Sequence, residues 1–297
     1  MPLRLVFEHG IIYCADFERE QVLYVLCGDP YALLQEPFLY ASQYRTATQV
    51  ACVPFDLLGY LAAERCDPVF VFSAGRCGST LLAALLRGAG LPTASEPDLM
   101  TQLANGSLFK THRGLADGLQ RACISSLAGH CGTDLAVKFR SQCNSIAIEI
   151  AQAFPSAKFV FILREPIAWA RSRYRAFRSD PKHLARIYWG AVTCYRRLGA
   201  ANCRPILLWY DDIVGAPLQT LERLACEGLP LRQIRPEMVA DVLSRDSQAG
   251  TQLSSRNVSG SEMTAQQISE FENECRRIMP RIECQDLWRG AEIPGIA

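Results

Sequence analysis

From residue 69 onward, short runs of uninterrupted apolar residues alternate with stretches of helical periodicity, and this alternation leaves the chain few folds. The runs lie within 69–72, 134–139, Lys158–Leu163 and Ile206–Trp209, with Asp134, Lys138 and Lys158 as their only charged residues. A strand with one wet face alternates apolar and polar side chains; an unbroken apolar run needs cover on both faces. The intervening segments supply that cover. Residues 182–199 carry Leu184, Ile187, Tyr188, Ala191, Val192, Tyr195 and Leu198 on one helical face. Leu218, Leu221 and Leu224 repeat the pattern after the fourth run, and 81–87 and 145–154 read as helices after the first and second. The reading is α/β, in three layers: a central parallel sheet flanked by helices. Ligands of such sheets sit beyond the carboxyl ends of the strands, so the residues just after each run are where chemistry is expected.

The first 65 residues differ in character. Residues 3–14 and 22–27 read as short strands joined by turns. Residues 47–65 read as a helix ending before Pro68, because a proline disfavours helix in the residue preceding it. The chain thus divides into a small β-containing N-terminal extension, 1–65, a candidate acceptor-pocket or oligomer element, and a main domain, 66–297. Hydrophobic residues make up 49% of the 297, enough for a packed core and too many for a disordered chain. Lys+Arg number 31 against 30 Asp+Glu, a balance that argues against nucleic acid as a partner. Only Lys110, Lys138, Lys158 and Lys182 of these cations are lysines. The arginines suit bidentate recognition of sulfate and phosphate, although a compositional bias accounts for most of them.

No apolar run is long enough for a membrane span. Glu8, His9, Asp16 and Glu18 follow Met1 too soon for a secretory leader. The 13 cysteines include no Cys-x-x-Cys pair and no zinc-spaced cluster. They read as small buried hydrophobes in a reducing, cytoplasmic setting, with no metal site.

After the first run comes Ser73-Ala74-Gly75-Arg76-Cys77-Gly78-Ser79-Thr80-Leu81-Leu82. Strand, small-residue turn and helix start aim several backbone N–H groups at one point, and the helix dipole reinforces them. Ser79 and Thr80 are expected to cap the helix and donate to an anion, while Arg76 adds a full charge. A Walker A loop would carry a lysine after its last glycine; Ser79 stands there instead, and the cation lies two residues before Gly78. The chain thus reads as P-loop-like, with an ordinary tight turn as the alternative. A second cradle follows Lys158–Leu163. Pro166 suits the first position of a helix, and Ser172 lies about two turns beyond Arg164. An arginine at a strand end and a serine on the next helix can hold another phosphate. Two cradles ask for a ligand with anions in separate places. ATP has one anionic tail; a nucleotide with a 5′-phosphosulfate and a 3′-phosphate has two.

These segments resemble the sulfotransferases that use 3′-phosphoadenosine 5′-phosphosulfate (PAPS). Residues 75–82 look like their 5′-phosphosulfate loop. Arg164-Glu165-Pro166 with Ser172 looks like their 3′-phosphate motif, usually Arg-Asp-Pro with a serine at the same offset. Phe154-Pro155-Ser156-Ala157-Lys158 fits the family's run into that strand, and 207–213 resemble a later strand-and-acid segment. The resemblance covers 69–260, with Cys77 and Glu165 as departures. It implies donor contacts from Gly75, Arg76, Cys77, Gly78, Ser79, Thr80, Arg164, Ser172, Tyr210 and Arg256. Tyr210 matches a nucleotide-contacting tyrosine of the protein-tyrosine enzymes, with a core role as the alternative. The polar segment 247–256 matches one that folds over the nucleotide, with an exposed loop as the alternative. Arg171, Arg173, Arg175 and Arg178 surround Ser172, and one or two of them are expected to raise the local positive potential for an anionic donor.

Two residues compete to be the base. Lys110-Thr111-His112 looks like the Lys-Thr-His of cytosolic sulfotransferases, in which the histidine takes the proton. In that subfamily the lysine lies on the strand preceding the 3′-phosphate strand, so Lys138 takes its place here. Arg140 then stands in the histidine's position, and it cannot accept a proton at neutral pH. Ser95-Glu96-Pro97 resembles the glutamate segment of protein-tyrosine sulfotransferases and their bacterial relatives, where a lysine and a serine assist the transfer. Lys138 matches that lysine, and Asp246-Ser247-Gln248 the serine-bearing segment. Glu96 is the base adopted, with Arg76, Lys138 and Ser247 as its catalytic companions. His112 stays open as the base, as does a capping or ion-pairing role for Glu96.

The function implied is transfer of a sulfuryl group from PAPS to a hydroxyl of a small-molecule or carrier-borne acceptor, with no metal required. One alternative is a nucleotide or metabolite kinase, which asks for a loop lysine and a Mg²⁺-holding carboxylate such as Asp211 or Asp212. Another is a non-catalytic nucleotide-binding protein. Residues 1–65 and 98–130 are expected to shape the acceptor pocket, with Phe7, Tyr13, Phe38, Tyr40 and Tyr44 among its aromatics.

Overall fold

Two sheets organise the chain, whose computed structural model describes residues 3–60, 66–132, 134–245 and 262–278. The larger is parallel throughout: β4 (Val69–Ser73), β5 (Thr93–Ser95), β6 (Ala136–Lys138), β7 (Lys158–Leu163) and β8 (Ile206–Trp209), in the order β5-β6-β4-β7-β8. All five residues of β4 are buried. Successive side chains point to opposite faces, so both faces are covered, as the unbroken apolar runs require. One face carries an aromatic ladder. Phe70 stands opposite Phe159 and Phe72 opposite Phe161, and Phe139 lies 5.3 Å from Phe70 and 5.0 Å from Phe72. Burying one such ring is worth roughly 1.5–3 kcal/mol, and a one-residue slip would turn a strand's rings to the other face. The ladder therefore fixes the register that brings the strand ends level.

The chain order places β4 at the centre, with β5 and β6 on one side and β7 and β8 on the other. Loops after neighbouring strands therefore diverge at the carboxyl edge and leave a crevice there. The second apolar run forms a shorter strand than expected. The helix expected over 145–154 is a 3₁₀ turn, Ser141–Ile146, running into Ala147–Ala153.

The smaller sheet is antiparallel, with β1 (Gly10–Asp16), β2 (Gln21–Leu26) and β3 (Gln49–Pro54) in sequential order. Two expectations are corrected here. Leu3–His9 is a helix that buries Val6, so the first strand begins only at Gly10. Of the helix expected over 47–65, residues 49–60 are instead β3 followed by a 3₁₀ turn, Phe55–Tyr60, and 61–65 lie outside the described residues. The β-branched Val50 and Val53 pair in register with β2, so strand pairing overrides the local helical pattern. This sheet is tied to the main domain. Gln102 accepts from the Ala15 amide at 2.8 Å and donates to its carbonyl at 2.7 Å. Ser126 accepts from Ile12 N–H at 3.2 Å. Side chains from the helices Asp98–Asn105 and Arg113–Cys131 thus serve the open edge of β1 as a further strand would. A single buried core runs through both sheets.

Cys77, Cys123, Cys143, Cys194 and Cys275 are buried, but Cys52 and Cys226 are exposed, so the reading of the thiols as core residues holds for only part of the set. Among the described residues no helix is long and apolar enough to cross a membrane.

Candidate functional site

The loop after β4 is built from left-handed backbone. Gly75, Arg76 and Gly78 have φ of 73°, 56° and 77°. For a residue with a Cβ such as Arg76 this costs roughly 1–2 kcal/mol, strain of the kind that collects at functional sites. Gly78 is the N-cap of the helix Ser79–Gly88, and no side chain caps that helix. The expected capping by Ser79 and Thr80 is therefore corrected: they are the first two helical residues, and a glycine cap offers no oxygen to the first-turn amides. Those amides face a cavity of about 280 Å³ whose lining includes Gly75, Arg76, Gly78, Ser79 and Thr80. Cys77 turns inward. Its thiol is buried, lies 3.3 Å from the Gly75 carbonyl, and is pushed up to about 12 by burial. The next helix behaves differently. Pro166–Phe177 is capped by its own Glu165, whose carboxylate accepts from Ile167 N–H at 2.9 Å and from Ala168 N–H. The glutamate at this position is therefore occupied as a cap.

Three strand ends meet at this loop. Arg164 follows β7, and its guanidinium donates to the Arg76 carbonyl at 3.5 Å. Tyr210 follows β8 and lies under the Arg164 guanidinium, 4.1 Å away. The same ring closes on Gly78, where an added Cβ would stand 2.9 Å from Tyr210 Cδ2. Ser172 is buried on the helix after Arg164. Arg164 and Tyr210, from the ends of β7 and β8, thus both touch the loop after β4. The Nε atoms of Arg164 and Arg173 are buried without a hydrogen-bond partner among the described residues. Burial pushes the Arg76 guanidinium below its ordinary value, and repulsion from Arg164 and Arg175 adds to this. Arg173 is lowered by burial, with repulsion from Arg76. Arginines crowded together in a half-buried place repel one another, and an anion between them would offset that repulsion.

Glu96 opens the other side of the cavity. It follows β5 with φ 61°, and its amide donates to the Lys138 carbonyl at 2.7 Å. Lys138, at the end of β6, is 1% exposed and bonds through Nζ to Glu96 Oε1. Burial pushes the Lys138 ammonium down, opposed by Glu96. Arg140 donates to Glu96 Oε2 at 3.2 Å and to Asp98 at 3.0 Å. The N-terminal extension closes over these cations: Phe38 lies 5.4 Å from Lys138 Nζ, and Tyr40 3.6 Å from the Arg140 guanidinium. The arrangement is a carboxylate gripped at both oxygens, on the wall of a cavity that Arg76, Arg140 and Arg173 also line.

Of the expected site residues, Gly75, Arg76, Gly78, Ser79, Thr80, Glu96 and Lys138 line one cavity, with Arg164 and Tyr210 packed on its loop. His112 is exposed at the junction of two helices and is not part of that lining. Ser247 and Arg256 lie outside the described residues. Asp211 is exposed and Asp212 half-buried in the first turn after β8. Among the expected pocket aromatics, Phe38 lines the cavity and Tyr40 braces Arg140, whereas Phe7 packs on Tyr24 at 5.8 Å and Tyr44 is 79% exposed. Tyr13 is half-buried, its phenol pushed up by burial and by Asp98. From 98–130, Asp98 reaches the site through Arg140, while the helix Arg113–Cys131 carries the smaller sheet. Sequence reasoning passed over Arg140 as unable to act as a base and did not single out Asp98. The signal available was the spacing of two from Lys138 to Arg140, which in extended backbone returns to the same side; Asp98 offers no such signal, because Glu96 is left-handed and Asp98 begins a helix.

No family model and no curated protein matches the chain. Among solved structures the chain is similar to the sulfotransferase domain of the olefin synthase from Synechococcus PCC 7002, at 18% identity and TM-score 0.46, covering 71% of this chain and 95% of that one. It is similar to sulfotransferase STF9 from Mycobacterium avium, at 12% identity and TM-score 0.46, covering 73% and 75%, and to a sulfotransferase from Alicyclobacillus acidocaldarius, at 15% identity and TM-score 0.41, covering 77% and 100%.

Proposed function

We propose that this chain is a PAPS-dependent sulfotransferase acting on a hydroxyl of a small or carrier-borne acceptor. The observation that carries the reading is the junction of the loop bearing Arg76 after β4 with Arg164 after β7, with Glu96 on the wall of the cavity that Arg76 lines. A nucleotide with anions at both ends of its ribose matches two arginines on neighbouring strand ends. In this reading Arg164 and Ser172 hold the 3′-phosphate, and the loop with its uncapped helix start holds the 5′-phosphate. Glu96 takes the acceptor's proton as the new O–S bond forms and the S–O bond to the 5′-phosphate breaks. Arg76 stabilises the charge that collects on the departing phosphate, and Lys138 faces the oxygens of the moving sulfuryl group. Adenosine 3′,5′-bisphosphate leaves. Ser247 and Arg256 enter this scheme through the family resemblance alone. The free thiols are in keeping with a reducing cytoplasm.

The test is ligand-dependent thermal stabilisation. Adenosine 3′,5′-bisphosphate without metal is expected to raise Tm well above ADP with Mg²⁺; at a hundredfold excess over Kd the gain is about 2.7 kcal/mol. Stronger stabilisation by Mg²⁺-ADP would transfer the site to a kinase. Binding of PAPS without transfer to any of a panel of alcohols, phenols and sugars would make the chain a nucleotide-binding protein.

A further inference from the structure

Arg173 belongs to neither motif, yet it reaches the loop. It stands one residue beyond Ser172 on the helix Pro166–Phe177, so its side chain leaves about 100° around the helix from that serine. Its Nη1 lies 3.0 Å from the point a Cβ would occupy on Gly75, and Ser141 Oγ lies 3.6 Å from the same point. A cation and a hydroxyl thus share the lip of the cavity beside Arg76. The guanidinium is braced by Trp169 at 5.7 Å and Phe177 at 5.1 Å, the residues four before and four after it on one face of the helix. Trp169 is itself pinned to the loop, its Nε1 donating to the Gly75 carbonyl at 2.7 Å. Arg173 Nε is buried and without a hydrogen-bond partner among the described residues. Stacking has therefore fixed this side chain in one direction beside a second arginine, where it gains nothing until an anion arrives.

Arg175, by contrast, pairs with Glu262 at 3.1 Å. Of the arginines around Ser172, Arg173 is the one that lines the cavity. The missing Cβ of Gly75 lets Arg173 approach the loop that carries Arg76, and both arginines line the same cavity. Glu96 and Lys138 line the same cavity, so a ligand group seated in that space is part of the reacting complex.

We propose that Arg173 and Arg76, across Gly75, grip a tetrahedral oxyanion seated beyond the nucleotide's 5′-phosphate. The group is either the donor's terminal sulfuryl or an anionic group on the acceptor. This inference rests on the sulfotransferase reading, because it takes the 5′-phosphate site as given.

The experiment is calorimetric titration of the full chain and of Arg173→Gln with three probes: adenosine 3′,5′-bisphosphate, PAPS, and inorganic sulfate added to the bisphosphate complex. A hydrogen bond between charged partners accounts for about tenfold or more in affinity. Arg173→Gln is expected to keep bisphosphate affinity within about twofold while losing about tenfold for one of the others. Selective loss for PAPS assigns the anion to the donor, and selective loss for added sulfate assigns it to the acceptor. Arg173→Lys should recover part of either loss. The proposal is overturned if affinities for PAPS and for added sulfate are both unchanged, or if they fall only in parallel with the bisphosphate. Should Arg173→Gln fail to fold, Ser141→Ala reads the same site, and must weaken the affected probe more than the bisphosphate. A wild-type chain that binds neither nucleotide would reject the sulfotransferase reading itself, an outcome distinct from any failure of Arg173.

Discussion

The Arg164 guanidinium lies 4.1 Å from the centre of the Tyr210 ring, and that ring also closes on Gly78. One side chain thus touches both segments proposed to hold the nucleotide, and the loop after β4 cannot move without disturbing the residue after β7. Gly78→Ala is expected to disturb both. The new Cβ would stand 2.9 Å from Tyr210 Cδ2 on a backbone with φ +77°, and the conformation alone costs roughly 1–2 kcal/mol. Tm and bisphosphate affinity should fall together. Adding Tyr210→Ala should return only the steric part. A Gly78→Ala protein with wild-type melting and binding would contradict this packing.

Arg164→Ala addresses the ribose 3′ charge directly. Losing one charged hydrogen-bonding partner should weaken adenosine 3′,5′-bisphosphate by about tenfold or more. Adenosine 5′-phosphate, which lacks the 3′ group, should bind the variant and the wild type alike. Equal losses for both nucleotides, measured by calorimetry, would remove Arg164 from the 3′ site.

Glu96→Gln keeps the shape of the side chain and removes its basicity. Bisphosphate binding is expected to persist while transfer from labelled PAPS to hydroxyl acceptors drops by about two to four orders of magnitude. His112→Ala should leave transfer near wild type, since His112 is exposed and apart from the cavity lining. A large loss in His112→Ala with an active Glu96→Gln would exchange the two roles.

The carboxylate of Glu96 is steered by Arg140, itself tied to Asp98 at 3.0 Å and stacked by Tyr40 at 3.6 Å. Arg140→Ala frees one carboxylate oxygen of Glu96 and leaves Arg76 and Arg164, the proposed nucleotide contacts, in place; Arg140 lines the cavity on the Glu96 side. We expect kcat to fall about tenfold with bisphosphate affinity unchanged, and Arg140→Lys to recover part of the rate. Asp98→Asn should act in the same direction but less strongly. If kcat stays at the wild-type value in Arg140→Ala, Lys138 alone orients the base.

How much of this was legible in the sequence depends on how local the cause is. The parallel sheet was readable because Phe70, Phe72, Phe159 and Phe161 must all be covered, and burial on both faces leaves an unbroken apolar run. Gly78 and Pro166 were readable because φ is written into those residue types. The cap on Ser79–Gly88 was misjudged: the hydroxyls of Ser79 and Thr80 suggested capping, while the left-handed turn demanded glycine at that place. β3 was taken for helix because its partner β2 lies far upstream, and no local window contains that pairing. The grip on Glu96 was invisible for the same reason: Lys138 and Arg140 are 42 and 44 residues away, and only the parallel pairing of β5 with β6 brings them level.

The buried thiols give the chain an alkaline limit. A free thiol loses its proton near 9, whereas burial pushes Cys77, Cys123 and Cys143 up to about 12. Between these values the folded chain holds protons that the unfolded chain has released, so stability is full below pH 9 and declines as the pH rises toward 12. Each such thiol removes about 1.4 kcal/mol per pH unit in that window. Urea midpoints at pH 8, 9.5 and 10.5 should therefore fall progressively. Cys77→Ala, which fills the site with a group that does not titrate, should lessen the slope by one thiol's share. Midpoints that hold constant to pH 10.5, or rapid alkylation of Cys77 in the folded chain at pH 8, would show that this thiol is open to solvent and that the loop after β4 is not packed as described.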